Sequence, residues 1–265
     1  LSRRSLGALV ALCVAMTTTA VALIAAPAQA ACAYQWKNSS LSEGDTGPDV
    51  RELKIRLSGW TGYANTYYLD DIFGSELGDA VNRFKKEYGL PNDRIAGPAV
   101  LAKLDSLQSS DCSTDHFDWA EYKDGCSAPW DSAPLNDAAE AKANVRVLFW
   151  KLEALRRDLG DVPLIVTSGW RGSSSCWSFR ESNHNYGLGI DIQGTKGANT
   201  SQLCTIAKAA RYHGFNEILG PGKPSGDHET HVHLAWFRSK AAPYPSWEGW
   251  NAWNWNAPTC GVVRS

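Results

Sequence analysis

Residues 182–192 read Ser-Asn-His-Asn-Tyr-Gly-Leu-Gly-Ile-Asp-Ile, and residues 228–236 read His-Glu-Thr-His-Val-His-Leu-Ala-Trp. Successive side chains of a β-strand point to opposite faces. In a strand over 188–192, Ile190 and Ile192 share one face and Asp191 takes the other. In a strand over 231–236, Val232, Leu234 and Trp236 share one face, and His231 and His233 the other. His184 stands seven residues before Asp191, across a turn containing Gly187 and Gly189. Three of the six histidines thus fall within six positions. Imidazole nitrogens and a carboxylate oxygen are donors that zinc accepts readily. Two nitrogens and one oxygen leave a fourth position open for water, the layout of a catalytic zinc rather than a structural one.

The sequence around these segments carries both helices and short apolar runs. Residues 138–159 carry Val145, Leu148, Phe149, Leu152 and Leu155 at helical spacing, with Gly160 as a stop. Residues 163–167 and 215–219 read as short buried strands, with a helix over 201–213 stopped by Gly214. Helices segregated from short strands predict an α+β domain with a short, mainly antiparallel sheet.

Upstream, residues 41–105 predict a small three-helix unit. Val50, Leu53 and Leu57 form one apolar stripe, with Asp49 as its N-cap. Ala80, Val81, Phe84 and Tyr88 form a second stripe, stopped by Gly89 and Pro91. Val100, Leu101 and Leu104 begin a third helix. A polar linker over 109–115 separates the two parts.

Arg3 and Arg4, an apolar stretch over 6–26 and the Ala28-Gln29-Ala30 site have the form of a secretory leader. The apolar stretch is also long enough for a membrane anchor. The expected division is therefore 1–30 leader, 31–112 helical domain and 113–265 α+β domain. The expected location is secreted and extracellular, off the membrane once the leader is cleaved. The chain has 265 residues and a net charge of −2; without Arg3 and Arg4, 24 basic residues face 28 acidic ones, a charge of −4. A nucleic-acid partner is excluded on that balance. Six of the seven cysteines, Cys32, Cys112, Cys126, Cys176, Cys204 and Cys260, follow the leader, and an even number in an exported chain predicts disulfides. No two stand at Cys-x-x-Cys spacing, which argues against thiolate metal ligation. The tail places Trp247, Trp250, Trp253 and Trp255 beside Tyr244. They can pack on the domain or stack on sugar faces.

Two family resemblances follow. Leu41, Gly44, Gly47, Val50 and Leu53, then Phe73-Gly74, Ala80-Val81, Phe84, Gly89-Leu90 and Gly97-Pro98, resemble the peptidoglycan-binding domain of secreted cell-wall hydrolases. Lys54 and Lys85 stand where that family usually has Gln. Ser182-x-His184-x-x-Gly187-x-Gly189-x-Asp191 with His231-x-His233 resembles the zinc D-Ala-D-Ala carboxypeptidases and their endopeptidase relatives, with Gly189 in place of the usual Ala. The resemblance implies a secreted zinc peptidase acting on peptidoglycan stem peptides, with one zinc ion held by His184, Asp191 and His233. It implies His231 as the catalytic assistant and Arg171, in Ser168-Gly169-Trp170-Arg171, as a substrate-binding residue. The unbroken His228-x-x-His231-x-His233 run favours His233 as ligand; a shifted register makes His231 the ligand and Glu229 or His228 the base. It also implies the pairs Cys32–Cys112, Cys126–Cys176 and Cys204–Cys260. A monomer is expected. A cross-link endopeptidase and a catalytically silent wall-binding protein are the alternatives.

Overall fold

The structure, a computed structural model, describes Cys32 and residues 34–66, 68–123, 126–132, 137–172, 176, 182–237 and 253–264. The expected leader, together with Tyr244, Trp247 and Trp250 of the tail, lies outside the described residues. The described residues form one compact unit.

The three apolar stripes become α1 (Pro48–Arg56), α2 (Ser75–Glu87) and α3 (Pro98–Ser106). Val50, Leu53 and Leu57 meet Leu77, Val81 and Phe84 of α2 and Val100 and Leu104 of α3 in one buried cluster. Each such large apolar side chain contributes roughly 1.5–3 kcal/mol by leaving water. Asp49 is not the cap of α1. Gly47 takes that position and Pro48 opens the first turn, where no carbonyl awaits its missing N–H. The Asp49 carboxylate instead accepts from the Lys37 and Asn38 amides at 2.9 and 2.8 Å and from the Tyr34 hydroxyl at 2.8 Å. It ties the preceding segment to the helix.

The second part contains the short α4 (Trp119–Lys123), the long α5 (Ala138–Asp158), α6 (Thr200–Ala210) and, among the described residues, a sheet of six strands. The strands are β1 (Leu164–Ser168), β2 (Gly189–Gly194), β3 (Glu217–Leu219), β4 (Val232–Ala235), β5 (Asn254–Ala257) and β6 (Val262–Arg264), in the order β1-β2-β4-β3-β5-β6. Only the β3–β5 pair is parallel. Asp137 caps α5, accepting from the Ala139 amide at 2.8 Å. Strand β4 begins at Val232, so His231 stands one residue before it. Helix α6 ends at Ala210, three residues before His213. The carbonyls of Arg211 and Tyr212 are taken by the amides of Ala64 and Gly62, at 2.8 and 3.0 Å, which draws the chain out of the helix.

Strands β5 and β6 have no counterpart in the sequence reading. Trp255 is buried between β3 and β6, its indole donating to the Phe215 carbonyl at 3.1 Å, and Trp253 packs on it edge-to-face. These two tail tryptophans are packing residues. The three expected disulfides are present, with Cα separations of 5.0, 5.3 and 4.8 Å.

Helix α5 serves both parts. Val145, Leu148, Phe149, Leu152 and Leu155 pack toward the sheet, whereas Trp150 and Ala154 complete the core of the helical part. Gly59 allows this contact: a Cβ there would lie 2.5 Å from the Ala154 Cβ and 2.8 Å from the Trp150 carbonyl. Lys151, buried in the same seam, donates to the Ser58 and Gly214 carbonyls at 3.0 and 2.9 Å. Arg146 clamps Glu52 through two hydrogen bonds, one of them 2.8 Å.

Candidate metal centre

The pairing of β2 with β4 sets Asp191 directly opposite His233, with Ile190 opposite Leu234 and Ile192 opposite Val232. Opposed residues share a face. The isoleucines, Leu234 and Val232 face the core, and Asp191 and His233 face the other side. His184 reaches them from a 3-10 turn, Asn183–Tyr186, opened by a capping box between Ser182 and Asn185. Gly189 keeps room for the imidazole: a Cβ there would lie 3.0 Å from His233 Cε1 and 2.8 Å from the Asn183 Cβ.

Three donor atoms result. His184 Nε2 lies 3.3 Å from Asp191 Oδ1 and 3.1 Å from His233 Nδ1, and the latter two are 2.8 Å apart. A tetrahedral zinc with bonds of about 2.0–2.1 Å requires donors about 3.3 Å apart. The set is close to that spacing and of the right chemistry, and among the described residues it is the one group of three or more such side chains that could hold a metal ion.

Each donor is fixed through its other polar atom. His184 Nδ1 donates to the Gly169 carbonyl at 2.7 Å, which leaves Nε2 as the open nitrogen. Asp191 Oδ2 accepts from Arg171 at 2.7 Å, and Arg171 is held in turn by Ser168 Oγ at 3.0–3.1 Å. His233 Nε2 lies 3.3 Å from Glu217 Oε2.

The electrostatics follow from this packing. Burial alone would raise the Asp191 carboxyl, but His184 and His233 outweigh it and hold the group well below the usual carboxylate range. Burial alone would lower His233, but Asp191 and Glu217 on its two nitrogens push it up to about 9. Burial lowers His184. Without metal, a proton on His233 Nδ1 therefore bridges to Asp191.

The other candidates line the rim. His231 Nε2 lies 3.6 Å from Asp191 Oδ1, and its ring is 4.9 Å from that of His228. His228 bonds Asp227 through Nδ1 at 2.6 Å, and its ring lies 5.8 Å from that of His233. Glu229 accepts from the Gly222 amide at 2.8 Å and so braces its own loop. The expected set His184, Asp191 and His233 is brought together, with His231 and Arg171 beside it. Glu217 and Ser168 escaped the sequence reading. A signal for Glu217 existed, because period two over Glu217–Leu219 sets Glu217 on the face opposite the core residue Ile218.

Two family models match the chain: a peptidoglycan binding domain over residues 46–104 and peptidase M15 over residues 116–235. The zinc D-Ala-D-Ala carboxypeptidase of Streptomyces albus G is 39% identical over 232 residues, spanning 86% of this chain and 82% of that protein. The spore cortex-lytic enzyme of Halalkalibacterium halodurans is 34% identical over 73 residues, 28% of this chain and 22% of that protein. Among solved structures, the SleB N-terminal domain is 31% identical over 26% of this chain and 93% of its own, with a TM-score of 0.24.

Proposed function

Because the chain belongs to the peptidase M15 family, we propose that it is a secreted zinc peptidase that removes terminal D-Ala from peptidoglycan stem peptides. The observation that carries the proposal is the buried face of three donors, His184 Nε2, Asp191 Oδ1 and His233 Nδ1, each 2.8–3.3 Å from the others. A zinc ion held there supplies Lewis-acid polarisation of the scissile carbonyl and a water of lowered pKa.

The protein's own groups do the rest. His231 is lowered by burial from its ordinary 6.5, so its ring is neutral near pH 7 and able to accept a proton. Protonated, the same ring donates to the developing oxyanion or the leaving amine. Arg171 is 28% exposed at its side chain and directs a fixed cation toward the rim, where a C-terminal carboxylate of substrate would pair with it. Its bond to Asp191 couples substrate orientation to the ligand set.

The helical part is the wall-binding element. Lys54 and Lys85 there are paired with Asp70 and Asp93. Its seam with α5 holds wall-bound substrate and the centre at a fixed separation. The three disulfides support an oxidising, extracytoplasmic location. We take the domain boundaries to be 31–112 and 113–265, and the protein to be a monomer, which sedimentation of the purified chain checks.

The test is mass spectrometry of products from defined muropeptides treated with zinc-loaded protein. Loss of one terminal D-Ala from a pentapeptide stem is expected. Cleavage confined to cross-linked dimers would make it an endopeptidase, and no cleavage at all would leave a wall-binding protein.

A further inference from the structure

We propose that Glu217 is the positioning residue of the centre: it holds His233 so that Nδ1, not Nε2, faces the metal. The inference rests on reading His184, Asp191 and His233 as the zinc ligands. It concerns a residue on a different strand from any of them.

The backbone places Glu217 there. Strand β3 lies between β4 and β5, with Ile218 opposite Leu234 and Leu219 opposite His233. Ile218 is buried in the core under the sheet. Glu217, one residue away, therefore projects to the side that carries Asp191 and His233. Its Oε2 faces His233 Nε2 at 3.3 Å and also accepts from Asn183 Nδ2. Its Oε1 accepts from Asn254 Nδ2 at 2.6 Å. The turn that carries His184, strand β4 and strand β5 thus converge on one carboxylate.

The chemical consequence is a choice of tautomer. A carboxylate can only accept, so Nε2 of His233 carries the hydrogen. Once the Nδ1 proton is given up to make room for metal, the lone pair resides on Nδ1, the nitrogen 2.8 Å from Asp191 and 3.1 Å from His184 Nε2. A carboxylate on the far nitrogen also makes the imidazole a stronger donor. Without this acceptor, the buried Nε2–H loses its partner. The ring then gains by rotating, which misplaces the ligand nitrogen.

Zinc affinity measured by competition with a chromophoric chelator tests the inference on the full-length mature chain. Glu217→Gln keeps an acceptor for His233 and removes the charge; exposed Asn254 accommodates it by turning its amide. Glu217→Ala removes the acceptor. The expected loss of affinity is about 10-fold for Gln and toward 100-fold for Ala. Cobalt-loaded Glu217→Ala is expected to show an altered d–d absorption spectrum. A merely structural Glu217 would lower Tm of the metal-free protein and leave zinc affinity and the cobalt spectrum unchanged. Zinc affinity within twofold of wild type in the variants overturns the proposal; should Glu217→Ala not fold, Glu217→Gln alone decides. Asp191→Ala in the same titration separates the two readings. Wild-type zinc affinity in that variant removes the assignment of the centre itself.

Discussion

Asp191 Oδ1 and His233 Nδ1 face each other at 2.8 Å from directly opposed positions on β2 and β4. In the metal-free protein that gap is closed by a proton, because His233 is raised to about 9 by the two carboxylates around it. Zinc must displace this proton.

Zinc binding at pH 7 is therefore expected to release about one proton, and the apparent affinity to rise about tenfold per pH unit until it levels near pH 9. The sign follows from a raised pKa, since the metal-free state holds the proton below about 9 and the loaded state does not. Titration calorimetry in two buffers of different ionisation enthalpy counts the protons. A heat independent of buffer would mean that His233 is already neutral.

Lys151 gives a separate pH signature. Burial in the seam pushes its amine down to about 7, against about 10.4 in an unfolded chain. Between those values the unfolded chain binds more protons, so stability rises with pH through that window, by up to about 1.4 kcal/mol per unit. Below about pH 7 both states are charged and this contribution is flat. Urea unfolding at pH 7 and pH 9 should show a larger gain for wild type than for Lys151→Met. Equal gains would show that Lys151 keeps its proton in the seam.

The helical part is expected to support the fold of the peptidase part, not only its localisation. Trp150 and Ala154 on α5 are wholly buried against it. Trp150→Ala should cost about 3–5 kcal/mol. A chain starting at residue 109, with Cys112 replaced by Ser, should melt well below the full chain and lose activity on soluble peptide as well as on walls. Unchanged melting and full activity on the soluble peptide would refute a shared core.

Much of this was legible in the sequence because the signals are local. Val50, Leu53 and Leu57 announce α1 by spacing alone, and period two separates Asp191 from Ile190 and Ile192. The features that were missed depend on distant partners. Asp49 is the wrong cap because Lys37, Asn38 and Tyr34 claim its carboxylate. Strand β5 carries polar Asn254 and Asn256 and exists through its parallel pairing with β3, some 37 residues away in the case of Asn254 and Glu217. His231 precedes its strand, yet lies 3.6 Å from Asp191. Lys151 looks like a solvent-facing position on an amphipathic helix until the helical part covers it.

Metal content of three single variants bears most directly on the central claim, that His184, Asp191 and His233 hold zinc while His231 serves the chemistry. Purified full-length Asp191→Ala, His233→Ala and His231→Ala are dialysed against limiting zinc and assayed for bound metal and turnover of a pentapeptide. Asp191→Ala and His233→Ala should retain little zinc, since two donors make a weak site. His231→Ala should keep about one zinc per chain and lose roughly 100-fold or more in kcat, with a smaller change in KM. An empty His231→Ala together with a fully loaded His233→Ala would contradict the assignment and make His231 the ligand.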